Sequence, residues 1–196
     1  MITEIQSLAP MHEIKMDISF VEACITSEKG DHRKAASQYG NMLREYTKLL
    51  STAEHRDLYE AAYSRRAGEL ANLGEHREAI AMLKEAVSFS TLPAEDYQCV
   101  RLWLGICYEE LGENDLAVEE YLRVIAFNNI NCIEAETRYR VARLYFIRGA
   151  LTQAKYHLEA YFQNYSELVI RVPKKVVYEL LSKTCISLGE KENAKH

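Results

Sequence analysis

Proline and glycine are scarce in this sequence, which has three prolines and eight glycines among 196 residues. An all-β protein built on tight turns uses more of both, whereas helices joined by short loops need few. No uninterrupted apolar run reaches the length that spans a bilayer, and the N-terminus lacks a basic segment followed by an apolar one. We therefore expect an all-α, cytoplasmic protein that is not inserted into a membrane.

Motifs that carry catalysis or hold a cofactor are also missing. The sequence has no H-E-x-x-H pair, no glycine-rich phosphate loop and no G-x-S-x-G. Adjacent acids such as Glu109 and Glu110 point to different sides of a helix, so they cannot act together as acid and base. We expect no catalytic residues, no cofactor and no enzyme activity.

The cysteines do not form a recognisable framework. There are five, an odd number, and none belongs to a C-x-x-C pair. A disulfide scaffold or a zinc knuckle needs closer, paired spacing, so neither is expected. We expect reduced, buried small residues and no metal site at Cys24, Cys99, Cys107, Cys132 and Cys185.

Positive charge is in deficit, because the formal net charge is -5 and the pI is about 5.7. Long-range electrostatics therefore disfavour nonspecific binding to nucleic acid. The basic clusters at residues 29–34, 65–66 and 173–175 are short. We interpret them as solvated charge and expect no nucleic-acid partner.

What the sequence does contain is a pattern of residues of defined size, clearest in residues 98–129. Gly105 and Ala117 are small, which lets two antiparallel helices approach closely. Tyr108 and Tyr121 are large and fill the space around that contact. This pattern resembles a tetratricopeptide repeat.

The same hairpin recurs along the chain. Its turn glycines are 44, 38, 37 and 40 residues apart, longer than the roughly 34 residues of the commonest form. An ordinary helical bundle would share the apolar spacing but not small residues, aromatics and glycines at equal offsets. The resemblance implies a right-handed superhelix in a single domain, residues 1–196, with four full repeats and a partial fifth near residues 16–50, 60–91, 98–129, 135–162 and 175–196. The turn glycines are Gly30, Gly74, Gly112, Gly149 and Gly189.

The first, fourth and fifth repeats depart from the pattern. In the first, Glu22 and Thr26 replace an expected Leu and Tyr, which indicates a solvent-facing end repeat, and residues 1–15 are too short for a domain. In the fourth, Tyr161 replaces the usual alanine, so its helix should splay or pack against a bulkier groove. The fifth has little of its second helix. A continuing chain, a self-sufficient end helix or a homodimer through this incomplete repeat would each account for that.

In the family that the pattern resembles, the first helix of each hairpin lines a concave groove. Apolar residues and arginines dominate the corresponding positions here, which favours a peptide with apolar and acidic side chains. For the fifth repeat, the implied positions are Glu179, Leu180 and Lys183. The predicted peptide-binding groove consists of Arg65, Leu102, Trp103, Ile106, Tyr139, Arg140, Arg143 and Phe146.

Trp103 lies one step off the buried stripe of its helix, so it should face the groove. Either it anchors a ligand, or an adjacent helix or residues 1–15 folded back already cover it. Some relatives clamp the carboxylate tail of chaperones with Lys, Asn and Arg. The corresponding positions in this chain lack that set, so this mechanism is not expected.

The resemblance implies an interaction module, an adaptor or assembly scaffold that binds a partner peptide or helix in the groove. The alternative is a regulatory sensor, similar to bacterial peptide-pheromone receptors, that changes its superhelical shape when it binds a small signalling peptide. A weaker third interpretation is a structural protein that assembles with itself.

Overall fold

The computed structural model describes residues 2–89, 93–128, 130–165 and 172–193, with their side chains except at 2–10 and 190–193. These residues contain no β-strand, which confirms the expected all-α fold. None of the helices they form is both long and apolar enough to cross a membrane. The helices are α1 (Ile2–Glu28), α2 (His32–Glu45), α3 (Thr47–Leu50), α4 (Arg56–Asn72), α5 (His76–Ala86), α6 (Ala94–Glu110), α7 (Asn114–Ile125), α8 (Cys132–Ile147), α9 (Leu151–Tyr165) and α10 (Lys174–Asn193), with a 3-10 turn at Ala53–His55 before α4.

Glycines in the left-handed region end α1, α4, α6 and α8. Their φ angles lie between 74° and 81°, which residues with a Cβ rarely adopt. At Gly74 the glycine N–H donates to the carbonyl of Ala71 at 3.1 Å, and the next N–H, of Glu75, donates to Leu70 at 2.9 Å. This pair of bonds satisfies carbonyls that the helix end leaves open. The predicted turns are confirmed at Gly30, Gly74, Gly112 and Gly149.

Gly189 corrects the prediction of a fifth turn. It lies inside α10, which continues to Asn193 without a break, and its backbone is not left-handed. A glycine in a helix interior costs only about 1 kcal/mol relative to alanine. It therefore ends a helix only where the chain beyond it can form a second helix that packs on the first. Among the described residues, no such helix follows α10. The residue expected at the small position of the missing helix, Ala194, lies outside the described part of the chain.

The small positions of the repeat are buried as predicted. Gly105 is buried, and the equivalent alanines have no exposed surface, so the helices of a hairpin can approach closely. The large residues one turn later on the second helices are equally buried, at Tyr39, Leu83, Tyr121 and Leu158. The buried alanines are Ala23, Ala35, Ala67, Ala79, Ala117, Ala142 and Ala154.

The chain divides into two compact units, unit 1 (Met1–Leu111) and unit 2 (Gly112–His196). In unit 1, α1 packs on α2, α2 on α4, and α4 on both α5 and α6. In unit 2, α7 packs on α8, and α8 and α9 pack on each other and on α10. The single domain expected from the sequence stays a prediction.

The first helix of unit 1 begins at Ile2, whereas the pattern of the first repeat starts near residue 16. Residues 2–15 therefore continue α1 and do not fold back over Trp103, so that alternative is wrong. Deeper in unit 1, the carboxylate of Glu69 on α4 joins the first hairpin to the second. It accepts a hydrogen bond from Ser27 and lies 2.7 Å from Nδ1 of His32 at the start of α2.

Unit 2 contains a buried polar network beside its core. Arg138 donates to Glu134 one turn earlier at 2.8 Å, and Tyr165 lies within hydrogen-bonding distance of the same guanidinium. Next to them, the ring of His157 stacks on Tyr145 at 5.7 Å. Burial, followed by the charge of Arg138, lowers the pKa of His157 to about 4. This histidine is therefore neutral and structural near pH 7.

Tyr161 occupies the last core position of the fourth repeat without any exposed surface. It belongs to one cluster with Leu158, Tyr165 and Val177 of α10. The ring of Phe162 meets it edge-on at a centroid distance of 5.2 Å. Tyr161 therefore packs partly against α10.

None of the five cysteines, all in the described part of the chain, forms a disulfide, and only Cys107 is buried. Burial raises the pKa of its thiol to about 12, so it is an inert thiol near pH 7. The expectation of burial is wrong for Cys132 and Cys185, which are exposed. Both lie on the outer side of a helix, where helical periodicity alone does not report what packs against it.

Candidate peptide-binding surfaces

The predicted groove residues divide equally between the two units. Unit 1 holds Arg65 on α4 and Leu102, Trp103 and Ile106 on α6. Unit 2 holds the other four, all on α8. The groove as a whole stays a prediction, and each half is described within its own unit.

Trp103 packs against the preceding hairpin. The position that a Cβ would take at Gly68 on α4 lies 3.2 Å from Nε1 of the indole. Because Gly68 has no side chain, the half-buried ring can lie close to the α4 backbone. An adjacent helix therefore covers part of Trp103, as one of the two sequence interpretations expected, and its remaining surface is still accessible.

The other unit 1 groove residues differ in how much surface they leave for a ligand. Leu102 and Ile106 are 8% and 9% exposed, so nearly all of their apolar surface already serves packing. Arg65 is exposed, and its guanidinium carbon lies 5.7 Å from the centroid of the Phe20 ring on α1. That cation–π contact orients Arg65 while leaving it charged and accessible.

In unit 2, Arg140 already has an acidic neighbour. Its Nη2 donates to Oε1 of Glu136, one turn earlier on α8, at 2.9 Å, and its side chain is 22% exposed. Tyr139 packs against the core cluster around Tyr161. Arg143 and Phe146 are half-buried on the same helix. These side chains give unit 2 a mixed polar and aromatic surface, on which Glu136 neutralises Arg140.

A second surface, which shares only Glu179 and Lys183 with the positions implied for the groove, lies between α9 and α10. It is an open cleft of about 660 Å³, within the usual range for ligand sites. Tyr178 and Ile186 are 63% and 62% exposed there. We call it the α10 cleft, and it is lined by Phe162, Lys174, Lys175, Tyr178, Glu179, Ser182, Lys183 and Ile186.

Helical spacing explains how α10 forms this surface. Residues 175, 178, 182 and 186 recur every three or four positions, so they share one face of the helix. The opposite face carries Val177 and Thr184, which have no exposed surface. Leu180, one of the implied groove positions, is half-buried and packs against the core. Tyr178 lies at the centre of the exposed face, and Phe162 of α9 meets its ring edge-on at 5.4 Å.

The charge of the α10 cleft is opposite to that of the whole chain. Its lining has three lysines and one carboxylate, a surplus of two positive charges in a protein whose net charge is -5. Lys175 lies 4.0 Å from Glu179, but both side chains are largely exposed, so this pair contributes little. The sequence indicated Lys183 and the cluster at 173–175, but Tyr178 and Ile186 were missed. Their spacing on one face with the lysines was the available signal.

The described part of the chain contains no metal-binding cluster. No three His, Cys, Asp or Glu side chains there lie close enough to hold a metal ion. His157 is buried in the core of unit 2, and His32 contributes to the link between hairpins. The surfaces described above offer aromatic, aliphatic and cationic side chains.

Residues 100–131 match the model of the tetratricopeptide repeat family. The chain therefore carries a tetratricopeptide repeat. This segment includes Gly105, Gly112 and Ala117, the positions from which the resemblance was drawn, and that resemblance is confirmed. Within this segment, Gly105 and Ala117 lie where the two helices pack closely, and Gly112 lies in the turn between them.

Solved structures share the fold over nearly the whole chain. BtubC (BKLC) from P. vanneervenii is similar with a TM-score of 0.72 and 18% identity, covering 98% of this chain and 82% of that one. Nearly identical TPR-like repeats of a kinesin light chain-like protein from Podosopora anserina have a TM-score of 0.68 and 19% identity, covering 92% of this chain and 90% of that one. MamA has a TM-score of 0.65 and 18% identity, covering 91% of this chain and 85% of that one. Among curated proteins, no sequence matches this chain. At these identities the likeness shows the helical repeat fold.

Proposed function

We propose that this chain is a non-enzymatic interaction module, an adaptor or scaffold, that binds an extended segment of a partner protein in the α10 cleft. The tetratricopeptide repeat and the shared fold support a protein-binding role in general. The observation that carries the finer proposal is the cleft itself, in which exposed Tyr178 and Ile186 are surrounded by lysines.

The chemistry of the cleft defines the ligand. Exposed aromatic and aliphatic side chains in a concave surface are the usual anchors of a binding interface, because they gain most from leaving water. Lysines around them attract a segment with acidic side chains and raise its association rate more than its final affinity. The matching segment is therefore acidic, with at least one large apolar residue that contacts Tyr178.

The predicted groove is kept as a second contact surface for the same partner. Arg65 and Trp103 retain accessible surface in unit 1, whereas Leu102 and Ile106 retain little. We expect the exposed pair to contribute more than the buried pair. A measurement of binding decides between this surface and the α10 cleft.

The test is a screen of acidic peptides with one aromatic or aliphatic residue, followed by fluorescence polarisation with labelled hits. Tyr178→Ala and the pair Lys174→Glu/Lys183→Glu should each weaken binding at least tenfold, with a smaller effect at high salt for the charge reversal. The matched controls are Tyr156→Ala, equally exposed on α9 but outside the cleft, and Lys48→Glu on α3.

Loss of binding only in Arg65→Glu would assign the ligand to the predicted groove and overturn the cleft. Equal binding by all folded variants would overturn both surfaces. The homodimer predicted through the C-terminal repeat remains a prediction. Sedimentation of the Tyr178→Ala variant tests it. If two copies meet at the cleft, the variant should form fewer dimers and show a lower average mass in solution than the unaltered chain.

A further inference from the structure

Helix α1 has an exposed apolar stripe that its own hairpin does not use. Five large apolar residues in the described part of this helix are between 44% and 58% exposed. They are separated alternately by three and four positions, so they form one continuous line along the helix. We call this line the α1 seam, and it consists of Met11, Ile14, Ile18, Val21 and Ile25.

The opposite face of α1 carries the contacts of the hairpin. Met16 and Ala23 have no exposed surface and belong to the core that α1 and α2 share. Phe20 and Cys24 pack against that core from the same side. Since this face already holds α1 in unit 1, the α1 seam is not needed for the fold of the hairpin.

A helix that is apolar on two sides is typical of one covered on both sides. Five exposed side chains of this size make a patch of roughly a few hundred Å², the range that marks interaction sites. Alternating separations of three and four residues are those of a coiled-coil seam, in which side chains of one helix fit between those of another. The natural occupant of the α1 seam is therefore a second apolar helix.

The charges beside the seam define the direction of that second helix. Lys15 and Glu22 flank one side of the seam, and Asp17 flanks the other. If two α1 helices paired in parallel, Asp17 of each copy would face Glu22 of the other, and like charges repel. If they paired antiparallel, Lys15 of each copy would face Glu22 of the other, and both pairs would attract.

We infer that the α1 seam docks onto the α1 seam of a second copy of this chain, with the two helices antiparallel. About a two-fold axis near residues 18–21, Ile18 packs on Val21 of the second copy and Ile14 on Ile25. The attractive pair between Lys15 of one copy and Glu22 of the other then forms twice, as a self-complementary two-fold interface requires. All residues of this interface belong to unit 1, and the dimer does not depend on the ligand proposed for the α10 cleft.

Sedimentation velocity over a wide range of protein concentration tests the interface. The unaltered chain should show a concentration-dependent dimer, and Ile18→Glu should abolish it, because a carboxylate would be buried in the seam. Ile147→Glu is the matched control, since Ile147 is an isoleucine of unit 2 that is 67% exposed. Circular dichroism checks that both variants keep their helices, as exposed positions should allow.

Charge reversal tests the direction. In the antiparallel pair, Glu22→Lys and Lys15→Glu should each weaken the dimer roughly tenfold, because two attractive pairs become repulsive. A mixture of the two variants should form a heterodimer as strong as the original dimer. In a parallel pair, Glu22→Lys would instead strengthen the dimer by facing Asp17.

A chain that remains monomeric at all concentrations overturns the inference, and the seam would then belong to a different partner. A dimer that survives Ile18→Glu overturns the seam as its interface. A dimer strengthened by Glu22→Lys overturns the antiparallel direction.

Discussion

The first helix of unit 1 and the last helix of unit 2 each bury one face and expose the other. In α1 the exposed face is a straight aliphatic line, flanked by charges of both signs. In α10 the exposed face has an aromatic centre and a surplus of lysine. The buried faces are alike, since both use small or medium apolar residues without exposed surface, such as Ala23 and Val177.

The inner and outer faces of a helix in a repeat are constrained differently. The inner face must fit its hairpin, so residue size is constrained there in both units. The outer face has no such demand, and its chemistry is free to specify what binds. Self-complementary charges suit a second copy of the same helix, whereas a one-signed excess suits a ligand of opposite charge.

The largest contrast is expected between the two faces of α1. Met16→Ala should lower the free energy of unfolding by about 2–5 kcal/mol, because Met16 is fully buried and its removal leaves a cavity. Met11→Ala, on the exposed face of the same helix, should change it by about 0.5 kcal/mol or less in dilute protein. Urea titration followed by circular dichroism measures both. Equal effects would show that α1 is not packed by its Met16 face.

Acid should destabilise the protein through unit 2. The pKa of His157 is about 4 in the fold and near 6.5 when unfolded, so between these values the unfolded chain binds more protons. Stability should fall as the pH drops from about 6.5 towards 4, by about 3 kcal/mol in total. His157→Phe keeps a ring against Tyr145 and should remove this loss. His12→Phe, at an exposed position, keeps His157 and should therefore retain the loss of stability, which denaturant titrations across that pH range measure for both variants.

The two faces of α10 offer a matched pair of neighbouring valines. Val177→Ala should cost roughly 2 kcal/mol of stability, since Val177 is fully buried against Tyr161 and its neighbours. Val176→Ala should have little effect, because Val176 is 38% exposed. Thermal unfolding of the two variants compares them directly. A similar melting temperature for both would contradict the assignment of faces.

The smallest effects are expected at two helical glycines. Gly189→Ala should stabilise α10 by about 1 kcal/mol, because a Cβ there meets nothing within 4 Å. Gly68→Ala should gain less or lose stability, since its Cβ would lie 3.2 Å from the indole of Trp103. Trp103 is the sole tryptophan, so its fluorescence should change in Gly68→Ala and stay unchanged in Gly189→Ala. An unchanged spectrum in both would contradict the contact between α4 and α6.

Much of the fold could be predicted because the repeat constrains residue size at short range. Ala117 is small where helices approach, and Gly112 is left-handed where the chain turns, so both follow from spacing and steric limits. Gly189 shows the limit of that argument. The same residue type at a similar spacing lies within the continuous helix α10.

The candidate sites were less predictable. Helical periodicity placed Arg140 on the predicted groove face of α8. It did not reveal that Glu136, one turn away, would accept its hydrogen bonds. It also placed Leu102 beside Trp103 without showing how far neighbouring helices would bury it. Burial depends on contacts between helices that are distant in the sequence, and a one-dimensional pattern does not contain them.

By itself, the sequence determined the helical hairpins, their turns at Gly30, Gly74, Gly112 and Gly149, and the small residues at their contacts. These features follow from local backbone limits and residue volume, which act over a few positions. Only the tertiary structure decided which outer faces stay exposed, namely the α1 seam and the α10 cleft. Exposure is set by the helices that pack nearby, and packing partners come from other parts of the chain.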